Sequence, residues 1–277
     1  MPEPLEMLRA RVLLSFVNED PRRCTVTGLS AALGVGKQKM HRLFLSLERE
    51  GLLDRSDPRQ PRLTAEGLAQ AAAFERRYHV VLNHLLYEGL DIDDAEHDAC
   101  LWALFCSDNG MKIIESSEQR CHAKYALRRQ ERFDGGALCR CFSDGDYEFP
   151  FLFYRETVAE GSNLSMANGA FAQPCRLAVR DGVGTVQLLP LDREGVSPIT
   201  GKPMHGRVRN LQYLENGQFR PAWEAGRRLC FPAAALSFWN IGAGMGQILH
   251  GSACLKMQAT VGTNHMPEST AIFTILI

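Results

Sequence analysis

The spacing of apolar residues changes near residue 115 and again near 145, and those changes limit what the chain can fold into. From residue 5 to about 115 apolar residues recur every three or four positions, whereas after 145 they come in short alternating runs cut by Gly, Asn and Pro. The first pattern makes one-sided helices and the second makes half-buried strands. An α+β protein is expected, helical in its first part and all-β, as a barrel or a sandwich, in its last. The 277 residues are long for one domain, and 45% hydrophobic against 23% charged residues suits a chain that builds ordinary cores. No period of 20 to 50 residues marks a repeat array.

In the helical part, Leu5, Leu8, Val12, Leu13 and Phe16 form one stripe of a first helix. Thr25 or Thr27 caps a short second helix that runs through Leu29 and Leu33 and stops at Gly34. A third helix, from 37 to about 50, turns Met40, Leu43, Phe44 and Leu47 inward and ends at Gly51. Two helices joined by a tight Gly-containing turn make a helix-turn-helix unit. The outward face of the third helix carries Lys37, Gln38, Lys39, His41 and Arg42, side chains that donate to phosphates and purine edges.

Residues 52–54 and 62–64 read as two short strands, and the tip between them holds Pro58 and Pro61, which no helix interior accepts. This is the ribbon, or wing, of a winged helix-turn-helix, with Arg55, Arg59 and Arg62 placed to follow a DNA backbone. Composition alone gives no such signal. The net charge is -1, and residues 1–75 hold 11 Lys and Arg against 10 Asp and Glu. The basic residues gather at the start of the third helix and at the ribbon, so double-stranded DNA is the expected partner through a local patch. The competing reading makes these solvated charges on a helical domain used for protein contacts.

Further pieces carry a family resemblance: Leu5-Glu6-Met7, the run 43–53, Leu63-Thr64-Ala65-Glu66-Gly67, Arg76-Arg77-Tyr78-His79 with Leu85-Leu86, and Ala99-Cys100-Leu101-Trp102 with Ser107-Asp108. Over residues 5–115 the chain resembles the iron- and manganese-dependent repressors of the diphtheria toxin repressor family. The resemblance implies that the helices after the wing form a homodimer interface, and that metal sites lie between them and the first helix. Position by position, Met7, His79 and Cys100 match family ligands, and His97 matches another with a one-residue slip. Thioether, imidazole and thiolate suit later first-row divalent metals, so Mn, Fe or Zn is the implied cofactor. The chain departs from the family where Ala103 and Leu104 follow Cys100 by three and four residues, and where Asn83 follows His79 by four. The site is degenerate unless His84, Cys106 or Glu96 completes it. Without a metal, Cys100 and Cys106 are small buried hydrophobes beside Trp102 and Phe105, and His79 is a satisfied core or interface histidine.

A second group of soft ligands, Cys121-His122 with Cys139-Arg140-Cys141, has the right number for zinc but an unsuitable spacing, and ordinary thiols are expected. In the β part, Asp181-Gly182 and Asn216-Gly217 mark hairpin turns. The Gly-rich run 240–247 lacks a dinucleotide-loop spacing and reads as a turn. No hydrolase, nucleotide-binding or zinc-protease motif occurs, so an enzyme is not expected.

The expected organisation is a winged helix-turn-helix over 1–72, a helical dimerisation and metal-sensing region over 73–118, a linker over 119–145 and an all-β domain over 146–277. The expected function is that of a dimeric, metal-responsive, DNA-binding transcription regulator. The alternatives are a winged-helix regulator that senses a small-molecule effector through its β domain, or a zinc-stabilised scaffold that binds no DNA. A cytoplasmic protein without a membrane segment is expected, since no long apolar run and no signal peptide is seen.

Overall fold

A computed structural model describes residues 4–157, 161–196, 203–261, 264–265 and 268–277. The chain is mixed α+β and divides into two compact units, Met1–Glu118 and Gln119–Ile277.

The first unit begins with helices α1 (Leu5–Asn18), α2 (Val26–Ala32) and α3 (Lys37–Arg49), then strands β1 (Leu53–Asp54) and β2 (Arg62–Leu63). Leu8, Val12, Leu13, Leu29, Met40, Leu43, Phe44 and Leu47 close into one core with Leu52, Leu53 and Ala71. These are the inward positions that the 3.6-residue spacing marks. Of the two threonines that the sequence offers as a cap for α2, Thr25 serves: its hydroxyl accepts from Gly28 N–H at 3.1 Å. Gly34 (φ 65°) makes the turn between α2 and α3, in a backbone region open to glycine and strained for other residues. The Arg9 guanidinium, paired with the Glu50 carboxylate, ties α1 to the end of α3. It holds the Glu50 carboxyl below its ordinary value.

Strands β1 and β2 pair antiparallel, Leu53 with Leu63 and Asp54 with Arg62. Thr64 fastens this ribbon to the helix α4 (Ala65–Tyr87). Its hydroxyl donates to Gly51 C=O at 2.6 Å and accepts from Gly67 N–H at 3.1 Å, capping α4. Helices α5 (Ile92–Phe105) and α6 (Asp108–Leu127) come next, with Asp91 capping α5 through Asp94 N–H at 3.2 Å. Arg77 on α4 closes the other end of α5: it donates to Ala103 C=O at 2.8 Å and to Cys106 C=O, and pairs with Asp108 at 2.9 Å. Those donors meet carbonyls that the last turn of a helix leaves without partners.

The division between the units falls within α6. Residues 119–145, expected as a linker, instead hold the last part of α6, strand β3 (Arg132–Asp134) and the short helix α7 (Gly135–Cys139), and belong to the second unit. The missed signal is polar: Asp134 caps α7 through Ala137 N–H at 2.7 Å.

The remaining strands are β4 (Gly145–Phe149), β5 (Phe151–Tyr154), β6 (Phe171–Arg180), β7 (Val183–Pro190), β8 (Arg193–Val196), β9 (Pro203–Glu215), β10 (Gln218–Pro221), β11 (Trp223–Ala225), β12 (Arg228–Pro232), β13 (Ser237–Ile241), β14 (Ile248–Val261), β15 (Asn264–His265) and β16 (Ser269–Leu276). They form two antiparallel sheets. One runs β11-β12-β7-β6-β4. The other is built around the long β14, whose one edge pairs with β16 and whose other edge is shared by β13 and then β9. Side chains of both sheets enter one core, with Phe149, Phe153, Phe171, Phe231, Phe238 and Phe273 fully buried. Burying each contributes roughly 1.5–3 kcal/mol. Both expected hairpin turns form with positive φ at their two central residues, 50° and 73° at Asp181-Gly182 and 50° and 77° at Asn216-Gly217. That is the backbone that matches the twist of paired strands.

The amides of Gln173 and Asn168 hydrogen-bond the backbone of β5 at Phe151 and Phe153, over 2.6 to 3.2 Å, giving that strand partners besides β16. The Gly-rich run 240–247, expected as a turn, holds the end of β13 and a tight turn with Gly242 (φ 79°) and Gly244 (φ 57°). It aims Asn240 and Gln247 at the C-terminus of α6, where their amides donate to Leu127 C=O at 3.2 Å and Lys124 C=O at 2.9 Å. Among the described residues no helix is long and apolar enough to cross a membrane.

Candidate nucleic-acid interface

On α3 the four buried residues Met40, Leu43, Phe44 and Leu47 occupy one side of the helix. At 100° per residue, Gln38, His41, Arg42, Leu45 and Arg49 then lie on the other, with Lys37 and Lys39 on its flanks. Lys37, Gln38, Lys39, His41 and Arg42 are all exposed. Lys37, Gln38, His41 and Arg42 line an open groove of about 510 Å³ whose remaining wall is Val26 of α2. The five residues chosen from sequence are therefore one surface, and four of them share one groove. The helix can present two basic side chains, an imidazole and an amide to an edge that carries acceptors, while Val26 offers an apolar contact. Sequence reading missed Arg49, exposed and seven residues beyond Arg42 on the same face. A helical wheel drawn from the apolar positions is enough to find it.

The ribbon arginines divide. Arg59 and Arg62 are exposed. Arg55 turns back on α3, paired with Glu48 at 3.2 Å with its side chain 13% exposed. Its role is to hold the ribbon against α3, and it is not displayed at the tip as the sequence suggested. Asp57 and Asp54 shape the tip, accepting from Arg59 N–H and Ser56 N–H at 2.9 Å each. Hydrogen bonds from Ser56 hold the Asp54 carboxyl below its ordinary value, the hydroxyl having the largest effect and the N–H the next.

The residues matched to metal ligands are brought only partly together. Met7, His97 and Cys100 line one cleft of about 360 Å³ between α1 and α5, with Arg11, Leu14, Tyr78, Asp93 and Glu96 among its other walls. His79 does not line it: it is exposed on α4, its ring 5.5 Å from that of Tyr78. Met7 and Cys100 belong to an apolar cluster with Ala10, Phe74 and Ala103, joined by Leu104. Ala103 and Leu104 thus pack as hydrophobes where the resemblance asks for a carboxylate and an imidazole. Burial pushes the Tyr78 phenol up, with Glu96 adding to the effect. Among the described residues no three His, Cys, Asp or Glu side chains gather as a metal group. The ligands matched through the resemblance, Met7, His97 and Cys100 without His79, are a soft and incomplete set, and the hard oxygens on the same walls belong to Asp93 and Glu96.

The second group of soft ligands stays apart as well. Cys139 is buried, its sulfur where a Cβ on Gly184 would sit, and burial pushes its thiol up to about 11. None of the nine cysteines is in a disulfide.

No known family model matches the chain, and no curated protein does. Among solved structures, the manganese regulator SloR is 13% identical, with 84% of this chain and 100% of that one covered at a TM-score of 0.35. The IdeR of T. acidophilum is 14% identical over 74% and 92%, at a TM-score of 0.32. The NEAT5 domain of IsdX2, a B. anthracis hemophore in complex with heme, is 16% identical over 48% and 96%, at a TM-score of 0.30.

Proposed function

We propose that the chain is a DNA-binding transcription regulator that works as a homodimer, with residues 1–72 as its winged helix-turn-helix. One observation carries the reading: the side of α3 opposite its four core residues is an exposed row of donors, beside a ribbon with Arg59 and Arg62 at the surface. In this reading α3 enters the major groove, where Gln38 and Arg42 meet base edges and Lys37 and Lys39 meet phosphates. The ribbon tracks the backbone. A two-fold dimer sets its half-sites about one helical turn apart, roughly 34 Å. The segment after the ribbon exposes Leu86, Leu90, Ile92, Trp102, Phe105 and Ile113, apolar surface that a second copy would cover in a homodimer.

Metal response is not part of this proposal, because Met7 and Cys100 pack in an apolar cluster and His79 stands apart from the cleft that they line with His97. The test is an anisotropy titration of the full chain against genomic fragments, with chelator and with Mn(II), Fe(II) and Zn(II) added back. Gln38→Ala/Arg42→Ala is expected to lose sequence preference, at about 1–3 kcal/mol for each base contact. Arg59→Ala is expected to weaken binding evenly across sequences and to flatten its salt dependence by about one unit of slope. Unchanged affinity and preference in all three positions would leave α3 a protein-contact helix.

A further inference from the structure

Four arginines meet in the second unit at a place that the DNA reading does not use. Arg207 and Arg209 lie on either side of the buried Val208 on β9, and Arg209, exposed, is the extra residue of a β-bulge between the Val208–Ala259 and Asn210–Gln258 pairs. Arg227 and Arg228 are delivered by the two-residue turn between β11 and β12. There Ala225 pairs with Arg228, and Gly226 (φ 61°) takes the left-handed backbone at the first turn position. With Pro190, Val208, Glu224 and Leu229 these side chains line a partly enclosed cavity of about 130 Å³. Arg207 is held by Asp192 at 3.5 Å. Arg209, Arg227 and Arg228 form no ion pair among the described residues, and four guanidinium groups against one carboxylate, that of Glu224, leave the cavity lining with an excess of positive charge.

The geometry points to an oxyanion-binding site that takes the terminal phosphate of a small phosphate monoester. Guanidinium forks donate two parallel hydrogen bonds to such an anion, and several forks around one cavity match the several oxygens of a dianionic phosphate. The size agrees: about 130 Å³ leaves room for a phosphate and the start of its ester. Glu224 on the wall cannot take an anion. It accepts from a hydroxyl or amine that the ligand carries next to its phosphate. A DNA backbone fits worse, since a mid-chain phosphodiester has a sugar on either side and only one charge, and this cavity opens to a terminal group. The site lies wholly in the second unit and does not rest on the reading of α3.

The experiment is calorimetric titration of the full chain, in the absence of DNA, with glycerol 3-phosphate and with inorganic phosphate. Arg209→Ala/Arg228→Ala is compared with Arg155→Ala/Arg220→Ala, which removes the same charge from the same unit outside the cavity. Arg209→Lys/Arg228→Lys keeps the charge and removes the forks. Circular dichroism melts report whether each variant is folded. The native chain is expected to bind the ester more tightly than phosphate alone. The cavity pair to alanine should weaken it about 10-fold or more, the lysine pair by less, and the outer pair by no more than about twofold. Absence of binding by the native chain, or equal losses in the inner and outer alanine pairs, would overturn the site. So would a duplex titration in which the cavity pair loses DNA affinity while ester binding stays intact, which would assign these arginines to a nucleic-acid backbone.

Discussion

Gly67→Ala tests the join between the ribbon and α4, and its sign is the opposite of what helix propensity predicts. Alanine in a helix interior is favoured over glycine by about 1 kcal/mol. At position 67, however, a Cβ would lie 2.0 Å from the carbonyl oxygen of Leu52, 3.0 Å from its carbon and 3.3 Å from its Cα. Carbon and oxygen approach to roughly 3.3 Å at best, so the Leu52 backbone must retreat by about 1.3 Å. No flexible side-chain end can absorb that movement. The same carbonyl accepts from Thr64 N–H at 3.0 Å, and Leu52 and Leu53 beside it are each 2% exposed in the core under α3. A weakened buried hydrogen bond costs about 1–3 kcal/mol, and forcing a packed core apart costs about 1–3 kcal/mol. After the propensity gain, a net loss of roughly 1–5 kcal/mol is expected. Trp223→Phe/Trp239→Phe leaves Trp102 as the only tryptophan of the chain, so its fluorescence during urea unfolding reports the first unit alone. The exposed Ala69 of the same helix calibrates the propensity scale through Ala69→Gly, expected to cost about 0.5–1 kcal/mol. A Gly67→Ala midpoint equal to or above the parent's would refute the close-approach argument and would free the ribbon from α4.

Three further outcomes are expected. Burial pushes the Cys175 thiol up to about 12 from 9.0, so the folded chain resists ionisation where the unfolded chain ionises freely. The stability this thiol contributes is intact below pH 9 and is lost as pH rises towards 12, on the order of 1 kcal/mol for each pH unit in between. Urea unfolding of the second unit in a Trp102→Phe background should therefore fall more steeply with alkaline pH in the parent than in Cys175→Ala, and equal slopes would contradict the assignment. Phe105→Glu and Ile113→Glu replace side chains that are 65% and 72% exposed, so stability should move by no more than about 0.5 kcal/mol while sedimentation shifts from dimer to monomer. A native chain that sediments as a monomer removes the dimer instead. Chelator, and the pair His79→Ala/Cys100→Ala, should leave DNA affinity within about twofold of the parent, and restoration of binding by added Mn(II) would reinstate a metal centre at the α1–α5 cleft.

Period and turn chemistry are the parts of the fold that could be read in the sequence, because both are local. The inward row of α3, the strand pairs around Asp181-Gly182 and Asn216-Gly217, and the ribbon at 53–63 stand where apolar spacing and positive-φ residues put them, whereas on α1 the expected stripe holds at Leu8, Val12 and Leu13 but Leu5 is exposed and Met7 and Ala10 are buried instead. What escaped depends on partners far along the chain. The strand at 132–134 has only three residues, too few to show alternation, and exists because Phe133 pairs with Phe238 across the sheet. The 119–145 segment reads as a linker on its polar composition. Its order comes from contacts such as Gln119 with Ser143 N–H at 2.9 Å and from the Asn240 and Gln247 amides on α6. At the interface, the α3 row was legible because helix geometry alone decides it. The fate of Arg55 was not, since Glu48 seven residues earlier had to be found across a turn. The cavity arginines were illegible for the same reason: 207–209 and 227–228 are brought together only by the pairing of strands between them.

A net charge of -1 conceals an uneven distribution, and the unevenness bears on how the chain meets a polyanion. The first unit holds 14 Lys and Arg against 19 Asp and Glu, and the second holds 17 against 13. Within the first unit the acidic surplus lies beyond residue 75, where three basic residues face nine acidic ones, whereas 1–75 is close to neutral. A duplex that approaches the helices after the ribbon is repelled, and one that approaches α3 meets Lys37, Lys39, Arg42 and Arg49. Repulsion from the wrong side orients the encounter as effectively as attraction to the right one, and salt screens both within about 10 Å at 0.1 M. Raising salt should therefore weaken the bound complex, and it should also narrow the difference in association rate between the native chain and a variant whose acidic helix faces are neutralised. Asp91→Asn/Asp93→Asn/Asp94→Asn makes that comparison by stopped flow. If the variant associates no faster at a nonspecific site than the parent at low salt, the acidic helices play no part in orienting DNA, and the selectivity of approach rests on α3 and the ribbon alone.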